Sequence, residues 1–116
     1  MLSTTIYKIC SSAEWQAACA DGYFKGAAID LQDGYIHFST ASQVKETARL
    51  HFAGQKNLVL VGVDVKNLGI NLKWEASRGG DLFPHLFAAL DVTAAKSVTT
   101  LEVGEDGLHI FPELEE

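Results

Sequence analysis

The sequence is short of the features that most quickly assign a small protein. Its two cysteines, Cys10 and Cys19, form no C-x-x-C or Cys-His arrangement, which removes the ligand spacing of a structural zinc site. Neither has basic neighbours, so neither reads as an activated thiol, and in a reducing compartment both are expected as small core residues. No run reaches the about 18 apolar residues that a membrane-spanning helix needs. The opening Met1-Leu2-Ser3-Thr4-Thr5 has no basic n-region and no long apolar segment, so a cytoplasmic protein with no membrane partner is expected. Lysine and arginine number nine against fifteen Asp and Glu, for a net charge of -6, and the nine are scattered. Phosphate backbones are bound by clustered basic side chains, so no nucleic-acid partner is expected; one or two well-placed basic groups suffice for a single nucleotide. The G-x-G-x-x-G and G-x-x-x-x-G-K fingerprints are missing as well.

What is present reads as one α+β domain over residues 1–116, long enough to bury about two-thirds of its unfolded surface. Thr5-Ile6-Tyr7-Lys8-Ile9-Cys10 has the composition of a strand. Ser11-Ser12-Ala13-Glu14 matches a capping box, with Cys10 and Trp15 placed as a hydrophobic staple. The helix it opens is expected to turn Trp15, Ala18 and Cys19 inward and to stop at Asp21-Gly22. A short helix is predicted near residues 27–31, and a strand over Tyr35 to Ser39. Thr40-Ala41-Ser42-Gln43 reads as a second capping box, opening a helix through Phe52. Leu58 to Val65 is apolar without alternation and should be a central strand buried on both faces. Asn71 to Glu75 alternates, with Leu72 and Trp74 inward. Ser77-Arg78-Gly79-Gly80-Asp81 reads as a flexible loop, Phe83 to Phe87 as extended chain, Ser97 to Val103 as a strand and Gly104 to Phe111 as a hairpin return. The acidic end, Glu113-Leu114-Glu115-Glu116, is expected to be solvated. Helices fall mainly in the N-terminal half and strands in the second, which predicts an antiparallel or mixed sheet rather than a doubly wound one.

The chemistry concentrates on a few positions. Asp33-Gly34 is a turn signal, and after it Ile36 and Phe38 face one way while Tyr35, His37 and Ser39 face the other. A phenol, an imidazole and a hydroxyl in a row form the wall of a polar cleft. His37 and Ser39 cannot be a nucleophilic pair, because residues two apart on a strand are separated by about 7 Å. Glu75, at the end of an alternating strand, is placed for a general base or for stabilising a cationic transition state. Arg78 could reach a phosphate or carboxylate. His85, in Phe-Pro-His-Leu-Phe, is either a buried structural histidine or a second wall of the His37 cleft. His51 and His109 look incidental. No histidine pair has metal-ligand spacing on one element, so no metal residues are assigned.

Asp33-Gly34-Tyr35-Ile36-His37-Phe38-Ser39-Thr40-Ala41-Ser42-Gln43-Val44, Leu72-Lys73-Trp74-Glu75 and Phe83-Pro84-His85-Leu86-Phe87 resemble the small bacterial family called "domain of unknown function 952". Tyr7-Lys8-Ile9 and Glu14-Trp15 fit its opening, so the resemblance spans nearly the whole chain. It implies a bent, split α+β sheet grouped with ADP-ribosyltransferases, with a cleft for NAD or a related nucleotide. By that resemblance Glu75 is similar to the carboxylate that bonds the ribose, and His37 and Ser39 look like cleft-wall binders. Lys8 stands where a first-strand His or Arg is expected, and Phe87-Ala88 where many members carry Tyr-Gly.

Three readings follow. The first is an ADP-ribosyltransferase-like enzyme acting on NAD as substrate, with Glu75 and His37 catalytic and Tyr35, Ser39, Arg78, His85 and Lys8 binding. The second is a non-catalytic module for a small polar or anionic ligand. The third is a metal-dependent hydrolase built on the histidines. No cofactor is assigned, NAD entering only as a possible substrate, and a small-molecule or nucleotide ligand and a monomer or small homo-oligomer are expected.

Overall fold

A computed structural model describes residues 4–116, without the side chain of Arg78. The reading of Met1-Leu2-Ser3 and the phosphate or carboxylate contact expected of Arg78 lie outside the described residues. The elements run β1 (Thr5–Ser11), α1 (Ser12–Asp21), β2 (Tyr23–Phe24), α2 (Ala28–Asp33), β3 (Ile36–His37), β4 (Ser39–Thr40), α3 (Val44–His51), β5 (Leu58–Asp64), β6 (Leu72–Ala76), β7 (Leu82–Leu86), β8 (Leu90–Asp91), β9 (Ala95–Val103) and β10 (His109–Ile110). The three α-helices among the described residues precede residue 52, as the distribution of helix signals predicts. No helix among the described residues is long and apolar enough to cross a membrane.

The strands form a five-stranded sheet ordered β10-β9-β5-β1-β4, a three-stranded sheet β3-β7-β6 and the small ladder β2-β8. Every ladder among the described residues is antiparallel, so the expected mixed sheet is corrected to an antiparallel one. β5 lies between β1 and β9 and is buried along nearly its whole length. That burial on both faces is why Leu58 to Val63 carries no polar alternation. One core cluster joins Ile6, Cys10, Trp15, Phe24, Phe38 and Leu86. A second, on the other side of β1 and β5, joins Tyr7, Ile9, Val44, Leu58, Leu60 and Leu101, with Phe52 packed against it. Burial pushes the Cys10 thiol up to about 12, which makes it an inert core residue.

The capping box of α1 forms in full. Ser11 Oγ accepts from the Glu14 N–H at 3.0 Å, and Glu14 Oε1 accepts from the Ser11 N–H at 2.9 Å. Gly22 closes the helix with φ 98°, a left-handed conformation that glycine adopts without a Cβ clash. Trp15 and Ala18 are buried as expected, but Cys19 is exposed. It lies one residue, or 100° of rotation, past Ala18.

Four further expectations change. The strand predicted over Tyr35 to Ser39 is broken: Ile36 and His37 pair with β7, while Ser39 and Thr40 pair with β1. The segment therefore passes from one sheet to the other, with the Phe38 N–H held by the Pro84 carbonyl at 3.0 Å. The second capping box forms only by half. Gln43 Oε1 accepts from the Thr40 N–H at 3.0 Å, but the Thr40 hydroxyl pairs with Ser42, and α3 begins only at Val44. Residues 77–81 are a closed hairpin turn, with the Ser77 N–H on the Asp81 carbonyl at 2.9 Å. The acidic tail keeps Glu113, Glu115 and Glu116 exposed, but it is tied down rather than free: the Tyr7 hydroxyl accepts from the Glu115 N–H at 2.7 Å, and Lys96 pairs with Glu115 at 3.0 Å.

Replacing Ser11 by Ala removes one arm of the α1 box. Urea unfolding should show Ser11→Ala less stable by about 1 kcal/mol with an unchanged slope.

Candidate functional site

Lys8 is a charged residue in an otherwise apolar strand, and it is 5 % exposed. A buried ammonium needs a counter-charge. It finds one in Asp30 of α2, whose two oxygens lie 3.0 and 2.8 Å from Nζ. Asp30 is itself 1 % exposed and accepts three further hydrogen bonds. The Ala27 N–H donates to Oδ2 at 2.8 Å, which closes the first turn of α2. The His37 N–H and His37 Nδ1 reach Oδ1 at 3.1 and 2.6 Å. Gly26 makes room for this carboxylate: with φ 121°, a Cβ there would stand 2.7 Å from Asp30 Cβ. Burial alone would raise the Asp30 pKa. The hydrogen bond from His37, the Lys8 charge and the Ala27 N–H outweigh it and bring the group down to about 2.

His37 is thus fixed from two sides. Its Nε2 lies 3.0 Å from Asp33 Oδ2 at the end of α2. Ionised carboxylates only accept, so the two contacts are satisfied together only when the ring donates from both nitrogens. Directly across the ladder from His37 is His85 on β7, and the rings lie 5.5 Å apart, edge to face. His85 Nδ1 lies 2.7 Å from Glu75 Oε1. Tyr35 stacks on His85 at 4.2 Å and also touches His37 and Phe87. Burial pushes the Tyr35 phenol up, and the carboxylates of Asp33, Glu75 and Asp30 add to it.

His37 and His85 border a cleft of about 530 Å³ between the two sheets, α2 and α3, while Tyr35 packs on their rings outside its lining. Lys8, Asp33, His37, Ser39 and His85 line it on the polar side. Thr47, His51 and Phe52 of α3 line it too, so His51, which looks incidental in the sequence, belongs to the cleft.

The structure brings Tyr35, His37, Glu75 and His85 together. Glu75 is not in the lining itself and reaches the cleft through His85. Ser39 is buried, with its hydroxyl on Thr47 Oγ1 at 2.9 Å. Lys8 lines the cleft, but its ammonium is committed to Asp30. His109 stands apart, with Nε2 on the Gln55 carbonyl at 2.8 Å. Among the described residues no group of three or more His, Cys, Asp and Glu is arranged to hold a metal ion. Asp30 and Asp33 were not singled out from the sequence. The available signal was Lys8 itself, a lone cation between apolar neighbours that required an acidic partner elsewhere.

The fold and site define a small antiparallel α+β protein whose cleft is lined by two histidines, each bonded to a carboxylate. The chain belongs to the family described as "Protein of unknown function (DUF952)", whose model matches residues 9–98. The crystal structure of protein CC0527 from Caulobacter crescentus is similar, with 51% identity, a TM-score of 0.90 and coverage of 92% of this chain and 94% of that one. The solution NMR structure of CC0527 gives 52% identity, a TM-score of 0.81 and 90% coverage of each chain. No curated protein matches the chain.

Asp30 sets a pH dependence. Its carboxyl is lower in the folded protein than the ordinary 3.8, so its contribution is full above that value and is lost as pH falls toward about 2. The difference is worth about 2 kcal/mol. Urea unfolding of the wild type between about pH 5 and about pH 2 should show this loss, and Asp30→Asn should be less stable at neutral pH with a flatter acid limb.

Proposed function

We propose that this protein is a nucleotide-utilising enzyme of ADP-ribosyltransferase-like fold, with NAD or a related nucleotide as its substrate in the cleft between the sheets. The observation that carries the reading is the convergence of side chains from three strands: His37 and His85 on one wall of the cleft, and Glu75 bonded behind His85. Breaking a ribosyl–nicotinamide bond develops positive charge on the ribose, and a nearby carboxylate stabilises that charge. Glu75 fits the role: Oε1 is bonded to His85, while Oε2 has no hydrogen bond to a described residue. His37, held by Asp30, offers a fixed donor for a ribose or phosphate oxygen once Asp33 yields its place. The cleft volume lies in the usual range for small-ligand sites, about 300–1,000 Å³. Lys8 is not a phosphate anchor in this scheme, because Asp30 neutralises it.

A second reading, a binding module without turnover, is favoured by one feature: Asp30, Asp33 and Glu75 are each already bonded to a histidine. Incubation with NAD separates the two. The enzyme reading expects nicotinamide release by the wild type and a loss of about 100-fold or more in Glu75→Ala. Binding of NAD without release supports the module, and neither binding nor release ends the NAD reading.

A further inference from the structure

His85 is 4 % exposed on the middle strand of the three-stranded sheet, and its ring is held on three sides. Tyr35 stacks on it, His37 meets it edge to face, and Glu75 accepts from it. Because an ionised carboxylate only accepts, the Glu75 contact puts a proton on Nδ1, and in the neutral ring Nε2 then carries the lone pair. Nε2 has no hydrogen bond to any described residue, although His85 lines the cleft. Nε2 is not among the buried side-chain atoms left without a partner, so it is reached from the cleft. A group in the cleft that meets this lone pair is a donor: a hydroxyl or a water molecule. The neighbouring His37 is set differently, with both ring nitrogens already on carboxylate oxygens. The cleft thus offers an open ring acceptor on His85, 5.5 Å from a ring whose nitrogens are both engaged, and an acceptor within reach of a bound donor is what a general base requires.

We propose that His85 is the general base of this cleft and that the group it deprotonates is water, so that the reaction is hydrolysis. The proposal rests on the reading of NAD as substrate. Nε2 takes one proton from water, and the water oxygen bonds to the anomeric carbon of the ribosyl group. The bond from that carbon to the nicotinamide nitrogen breaks, and its electron pair leaves with neutral nicotinamide. The proton passes from the ring to solvent, leaving ADP-ribose. Glu75 orients His85 and offsets the charge on the imidazolium and on the ribosyl group.

Two measurements test this. In nitrogen-labelled wild type, NMR of the histidine rings should place the His85 proton on Nδ1 and none on Nε2 at neutral pH. With NAD, His85→Gln should lower kcat for nicotinamide release by about 100-fold or more while KM moves by less than about threefold. A proton on Nε2, or an unchanged kcat in the variant, overturns the assignment of His85 while leaving NAD as substrate. Wild type that releases no nicotinamide overturns the NAD reading and the hydrolytic step with it. If His85→Gln does not fold, the ring-proton result alone decides.

Discussion

A carboxylate removed from water must be compensated or it will take up a proton, and Asp30 is compensated from four directions. Lys8 supplies charge, the Ala27 and His37 N–H groups supply backbone donors, and His37 Nδ1 supplies a side-chain donor. Each partner comes from a different part of the chain. Lys8 is on the central sheet, Ala27 precedes α2, and His37 is on the edge strand of the three-stranded sheet. One ion therefore ties the two sheets and the helix between them, and it fixes the ring that faces the cleft. Breaking such a buried pair by removing one partner costs about 3–5 kcal/mol, far more than a surface ion pair contributes. The neighbouring glycine belongs to the same arrangement, since the carboxylate occupies the space a Cβ at Gly26 would take.

The second pair, Glu75 and His85, is built differently. Glu75 is a half-exposed carboxylate at the end of β6, bonded to a buried ring. His37 is a half-exposed ring bonded to a buried carboxylate. The first arrangement keeps a ring nitrogen open toward the cleft, and the second saturates the ring with acceptors. Two histidines facing each other across one antiparallel ladder thus acquire opposite hydrogen-bonding character from the carboxylates behind them. Tyr35 leans on both rings and limits their rotation.

Much of the scaffold was legible in the sequence because local rules governed it. The Ser11–Glu14 box, the Gly22 stop, the apolar central strand and the final hairpin follow from patterns within ten residues. His37, Glu75 and His85 stood out because ionisable groups interrupted apolar alternation. What was not legible depended on distant partners. Asp30 in Ile29-Asp30-Leu31 reads as a surface residue of a short helix, and only Lys8, twenty-two positions earlier, gives it a reason to be buried. The break between His37 and Ser39 follows from pairing with two different strands, which no alternation pattern encodes. His51 reads as incidental because nothing near it in the chain marks the cleft that it lines.

The central claim is that the Lys8–Asp30–His37 network is buried and preformed, and the Lys8 ammonium reports on it most directly. NMR of the lysine side-chain nitrogens at neutral pH should show a single slowly exchanging ammonium, assigned to Lys8, with contacts to His37. An ammonium at Lys8 that exchanges as fast as those of the exposed lysines would contradict the account, because Asp30 could not then be the buried anchor on which the cleft is built.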